Sequence, residues 1–133
     1  MTDVLRRLGA IGAVLAPLAL LTCTQLWGEP ADDVTSLTMN YVFFSLQRSG
    51  RLDGNFESLF RRFWDRYLAK SDDAELLSVV APFFAFRGLV MAHPIWYPHL
   101  TKDVRQKLFN FIQAVLGQER FDPSEVNHYC GAR

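Results

Sequence analysis

Cysteine, histidine and net charge are all scarce in this 133-residue chain. Its two cysteines, Cys23 and Cys130, make no disulfide framework, and no C-x-x-C or Cys/His spacing has the form of a zinc site. They read as two unpaired thiols in a reducing compartment, which points to the cytoplasm. The three histidines are His93 and His99, which flank an irregular segment, and His128 in the tail. They read as structural rather than as catalytic or ligand residues. Lys+Arg and Asp+Glu are balanced at 14 each, which leaves no basic footprint for nucleic acid and no excess charge for an anionic membrane surface. No Gly-rich loop precedes a strand, no alternating strand pattern is long enough to trust, and no internal repeat is visible.

What the chain has is apolar material. Half of its residues are hydrophobic and eleven are Phe. A chain of this length makes at most one ordinary domain and buries roughly two-thirds of its unfolded surface. So aromatic a composition leaves apolar surface exposed, and such a patch marks a missing partner or a missing domain.

Charge is absent altogether from Leu8 to Thr24, 17 residues that follow Arg6 and Arg7. A basic start followed by an apolar run is how a secretory signal begins. Pro17 interrupts the run, however, no A-x-A-like site follows, and Leu20-Leu21-Thr22-Cys23 is a poor lipobox. A bilayer span wants about 20 residues. Residues 1–27 are therefore read as an apolar segment foreign to the module that follows, one version being the product of a truncation or a misassigned start. A cleaved signal and a membrane anchor are the alternatives, and would make the protein secreted or membrane-associated.

From Gly28 onward the pattern is helical. Pro30 suits the first turn of a helix, where its missing N–H costs nothing, and Asp32 and Asp33 favour the positive end of the helix dipole. This helix is predicted to run to about Gln47, with Leu37, Tyr41, Phe44 and Val34 on its buried face. A second helix carries Phe56, Leu59, Phe60, Phe63, Trp64, Tyr67 and Leu68 at i, i+3, i+4 spacing, while Arg61, Arg62 and Arg66 read as a solvated face, with phosphate binding as the alternative. Asp72 and Glu75 resemble a capping box opening a third helix, Asp73 to about Ala92, kinked at Pro82. That helix is apolar nearly all round, which predicts a central position. Arg87 is the exception in it, and a buried guanidinium must be paired. Asp33 and Asp65 are its candidate partners, with a substrate contact as the alternative. Thr101 is placed to cap a fourth helix ending at Gly117, with Val104, Leu108, Phe111, Ile112 and Val115 buried. The tail can dock back through Phe121, Val126 and Tyr129.

The segment Gly28-Glu29-Pro30-Ala31-Asp32-Asp33-Val34 resembles the G-D-P-x-x-D-[LV] motif of the aminoglycoside phosphotransferase-like enzymes, relatives of choline kinases. Gly28, Pro30, Asp33 and Val34 match, and Glu29 replaces the motif's Asp. Ala81 to Val90, with Arg87 after its aromatic residues, is similar to the family's closing helix, and Trp96-Tyr97-Pro98 fits one bacterial branch. The resemblance covers about residues 28–127. It implies an all-α fold, the four-helix C-lobe-like subdomain of a protein-kinase-like fold, over residues 28–133. It also implies a full-length relative that transfers phosphate from ATP, with Mg, to a small-molecule hydroxyl. The family's catalytic base sits in an H-G-D-x-x-x-x-N type loop, followed by a D-x-D-like metal-binding segment. Neither is present here, so no catalytic, cofactor-binding or metal residue carries over. Gly28, Pro30, Asp33 and Arg87 are structural on this reading, with Asp33 capping its helix and bracing the catalytic loop. The expectation is a C-terminal fragment of a small-molecule kinase, inactive alone, that wants a front lobe or a partner chain. The competing readings are a small helical interaction protein docking a partner through apolar surface, and a secreted or tethered helical protein.

Overall fold

The computed structural model describes residues 28–132. The expectations for residues 1–27, and Cys23 with them, lie outside the described residues. What is described is all-helical, with no strand. In chain order the elements are α1 (Pro30–Ser49), α2 (Gly54–Ser71), α3 (Leu76–Val79), α4 (Ala81–Ala92), α5 (Lys102–Leu116), a 3-10 turn (Pro123–Glu125) and α6 (Val126–Tyr129).

α1 starts at Pro30, as its sequence predicts, with Glu29 at the cap position and the Glu29 carbonyl accepting from the N–H of Asp32 at 2.9 Å. It ends at Gly50, whose φ of 78° places it in the left-handed region that favours glycine. Of its predicted buried face only Val34 is buried. Leu37 and Phe44 are exposed and Tyr41 is half-buried, whereas Val34, Thr35, Thr38, Met39, Val42, Phe43, Ser45 and Leu46 are buried. Three hydroxyls in that stripe disguise it. Thr35 donates to the Ala31 carbonyl at 2.7 Å and Thr38 to the Val34 carbonyl at 2.7 Å. Ser45 donates to the Arg51 carbonyl at 2.8 Å and accepts from the Asp53 N–H at 3.1 Å. Each hydroxyl finds a partner in its own backbone or the adjoining turn, so burying it leaves no unmet donor. α1 rather than the Pro82 helix is central: it touches α2, α3, α4 and α5.

α2 follows its predicted register except at Leu59, which is exposed. Phe60 and Trp64 are buried, and Phe56, Phe63, Tyr67 and Leu68 are half-buried. The capping box expected at Asp72 and Glu75 does not form. Asp72 instead terminates α2 at a left-handed φ of 50°, a conformation that Asp tolerates better than most residues. It is Asp73 that accepts from the Leu76 N–H, at 3.2 Å. The predicted third helix is two elements. Pro82 has no N–H to offer the Ser78 carbonyl, and the chain restarts as α4 with Pro82 in its first turn. The expected kink divides the predicted helix into α3 and α4, although Val80 between them keeps right-handed helical dihedrals and its N–H and carbonyl still bond Leu76 and Phe84 at 3.1 and 2.9 Å.

α5 is as predicted: the Thr101 side chain accepts from the Val104 N–H at 3.3 Å, and Val104, Leu108, Phe111, Ile112 and Val115 are buried. α4 packs most extensively on α5, and next on α1. Gly88 permits that approach, because a Cβ there would lie 2.8 Å from Ile112 Cγ1 and 3.0 Å from Cδ1. Gly88→Ala is expected to cost about 1–3 kcal/mol through overpacking, despite alanine's better helix propensity. Thermal melts followed by circular dichroism should show the loss, and an unchanged melting temperature would mean that Ile112 swings aside freely.

The tail docks as its apolar residues suggest. Phe121, Val126, Tyr129 and Cys130 are all buried. Asn127 clamps Leu52 from both sides, accepting its N–H at 2.8 Å and donating to its carbonyl at 3.0 Å.

Candidate functional site

α4 is the most apolar helix of the described chain, and packing uses only part of it. Phe84, Ala85, Gly88, Met91 and Ala92 face inward. Phe86 (59% exposed), Leu89 and Val90 face solvent, at the i, i+3, i+4 spacing of one helix face. Val79 of α3 is also exposed, and beyond the helix end Ile95 and Trp96 are 79% and 70% exposed. The expectation of a central helix therefore fails here: an apolar residue on every side is also what a helix with one uncovered face looks like.

The bend that carries Ile95 and Trp96 is held from below. Arg105 of α5 donates to the carbonyl of Ala92, the last residue of α4, and to those of Leu100 at 3.3 Å and Tyr97 at 3.4 Å. A guanidinium here satisfies orphan carbonyls and complements the negative end of the α4 dipole. Tyr97 meets Phe43 edge-on, with ring centroids 4.9 Å apart. The two exposed apolar side chains thus project from a braced segment.

Arg87 sits beside this face. Its Nη2 is 2.7 Å from Asp32 Oδ1, and its guanidinium carbon lies 6.0 Å from the centroid of the Phe86 ring. The Nε is enclosed without an acceptor. The partner is Asp32, not Asp33 or Asp65. Helix geometry gives the reason: Asp32 lies along the edge of the buried stripe with Thr35 and Met39, three and seven residues on, whereas Asp33 is exposed. That spacing was available in the sequence, but was read with the wrong face of α1 as the buried one. Of the expected structural residues, Gly28 is exposed ahead of the helix, Pro30 begins α1, Asp33 stands exposed in its first turn, and Arg87 makes the long-range ion pair with Asp32.

Chemistry is thin among the described residues. No group of three or more His, Cys, Asp or Glu side chains could hold a metal ion. His93, His99 and His128 are exposed and do not converge with a nucleophile. Burial pushes the Cys130 thiol up to about 12, only weakly opposed by Lys107, so it stays protonated and inert at neutral pH. Arg48 and Ser49 hold the Asp53 carboxyl below its ordinary value, a turn-stabilising arrangement. The strongest site-like features are apolar surfaces. No helix among the described residues is long and apolar enough to cross a membrane. No protein-family model, curated protein or solved structure matches the chain.

Proposed function

We propose that this chain is a helical docking lobe, the C-terminal subdomain of an aminoglycoside phosphotransferase-like small-molecule kinase, whose partner is a nucleotide-binding front lobe. The observation that carries the docking role is the uncovered face of Phe86, Leu89 and Val90, continued by Ile95 and Trp96. Contiguous apolar surface on a braced framework is what an interface needs.

The Asp32–Arg87 pair supports the identity of the partner. It joins the two segments that carry the family resemblance, the Gly28–Val34 motif and the Arg87 helix. Glu29 lies one helical turn before Asp32, and Phe86 is the residue next to Arg87. The point at which a front lobe would join the motif is therefore close to the face that needs covering. ATP and Mg would belong to that lobe, together with the base and metal ligands of the H-G-D and D-x-D segments. This chain would supply apolar docking surface and a fixed helical frame, in the cytoplasm. The interaction-protein reading, with an unrelated partner, rests on the same exposed face without the family.

Two measurements test the proposal. The DNA immediately upstream of the Met1 codon, read in every frame, is expected to encode a nucleotide-binding lobe with an H-G-D loop; an unrelated region removes the kinase part. Calorimetric titration of the purified chain with Mg-ATP is expected to show no binding, and a dissociation constant in the micromolar range would overturn the division of labour. Phe86→Ser and Leu89→Ser should leave stability within about 0.5 kcal/mol, since their side chains already meet water.

A further inference from the structure

A second apolar surface lies away from α4, between α1 and α2. Along α2, Leu59, Phe63 and Tyr67 recur every fourth residue, and so do Arg62, Arg66 and Lys70. Residues four apart share a helix face, so an apolar stripe and a cationic stripe run side by side for about 12 Å at 1.5 Å per residue. Tyr41 of α1 closes the other side, and together these residues, with Ser71, line a groove of about 500 Å³. The groove is broadly open to solvent, so a ligand would lie along it rather than be enclosed. Phe63 and Tyr67 stack with ring centroids 5.8 Å apart, which gives the floor a flat aromatic patch.

Cations predominate along the groove, although burial and then the Asp73 carboxylate push the Tyr67 phenol above its ordinary value. No carboxylate lines the groove. The ion pairs among the described residues join Arg48 to Asp53, Arg61 to Glu57, Arg87 to Asp32 and Lys107 to Asp103. None of them engages Arg62, Arg66 or Lys70. Three cations held along one edge of an apolar trough complement a ligand with an apolar body and an anionic end.

We propose that the groove between α1 and α2 binds a single linear acyl chain ending in a carboxylate, with the tail on the aromatic floor and the head on the Arg62, Arg66 and Lys70 rim. Arg66 lies midway along the rim, and a guanidinium offers a carboxylate a bidentate partner. The aromatic floor beside a cationic rim suits one free acyl carboxylate, and the vesicle arm of the test below reads the bilayer alternative. The proposal does not rest on the kinase reading.

The test is isothermal titration calorimetry of the full chain with dodecanoate, kept below its micelle concentration. One-site saturable binding is expected. Octanoate should bind at least tenfold more weakly, because each fully buried methylene is worth about fourfold. Dodecyltrimethylammonium, with the same tail and the opposite charge, should also be at least tenfold weaker. Arg62→Glu combined with Arg66→Glu changes two exposed residues and should weaken dodecanoate tenfold or more with the thermal melt unchanged. The ligand series on the unaltered chain decides the matter even if that variant fails to fold. The proposal is overturned if dodecanoate does not saturate the chain, if the cationic surfactant binds equally well, or if a folded double variant retains full affinity. It is also overturned if phosphatidylglycerol vesicles, or an acidic amphipathic peptide, displace bound dodecanoate at lower concentration than dodecanoate itself requires.

Discussion

Truncating Trp64 to alanine is expected to remove about 3–5 kcal/mol of stability and to lower the melting temperature by about 15–30 °C. Trp64 is 1% exposed and stands at the junction of four other rings. Its centroid lies 5.5 Å from Phe121, 5.8 Å from Phe63, 6.3 Å from Phe60 and 6.4 Å from Phe84. Those rings come from α2, α4 and the tail, so a void at Trp64 loosens three parts of the fold together. Close-packed neighbours in three elements cannot all collapse into it. Trp64→Phe makes the sharper comparison. The indole Nε1 is enclosed with no protein hydrogen-bond partner, and a donor left unmet in that position carries a cost of about 1–3 kcal/mol. Phenylalanine removes that donor while keeping most of the ring contact. We expect Trp64→Phe to lose about 1 kcal/mol or less, the relieved donor offsetting much of the lost volume. Urea melts at constant m-value would separate the two variants. Equal losses from both would mean that the six-membered ring contributes little and that the packing argument is wrong.

The legibility of this fold in its sequence depended on whether each helix buried apolar residues alone. α5 was readable in full, because Val104, Leu108, Phe111, Ile112 and Val115 form an unbroken stripe and Thr101 caps it. α2 was readable as a helix for the same reason. α1 was readable as a helix but not as a face. Its buried stripe contains Thr35, Thr38 and Ser45, whose hydroxyls look like surface residues until their backbone partners are known. Its apolar residues Leu37 and Phe44 look like core and are exposed. The same inversion makes Asp33 look like the Arg87 partner in place of Asp32. α4 carried the opposite problem, since a helix apolar on every side has no periodic signal to tell an inward face from an uncovered one. The α1–α2 groove was half visible. Arg62 and Arg66 were recognisable as a solvated basic face, but only the packing of α1 against α2 reveals that this face rims an apolar trough.

Removing the tail by a stop codon in place of Glu119 should abolish cooperative unfolding altogether. The deletion takes away Phe121, Val126, Tyr129 and Cys130, each buried. At about 1.5–3 kcal/mol for each large apolar side chain, their loss approaches the 5–15 kcal/mol that separates folded from unfolded states in domains generally. The damage extends beyond area. The Phe121 N–H donates to the Leu77 carbonyl at 2.8 Å, tying the tail to α3. Asn127 satisfies both backbone groups of Leu52, 75 residues earlier in the chain, in the turn between α1 and α2. Phe121 also closes the aromatic cluster from outside, 4.7 Å from Phe84 and 5.5 Å from Trp64 by ring centroid. The tail thus joins the α1–α2 pair to the α4–α5 pair, and without it those two halves meet chiefly through α1. The truncated chain is expected to retain helical circular dichroism, to bind anilinonaphthalene sulfonate strongly, and to lose its sigmoidal melt, the behaviour of a collapsed helical state without fixed packing. Asn127→Ala isolates the clamp, and should cost about 1–3 kcal/mol by leaving the Leu52 groups without partners. A truncated chain that still melted cooperatively within a few degrees of the full one would show that the five helices before the tail form a complete core, and that the tail merely covers it.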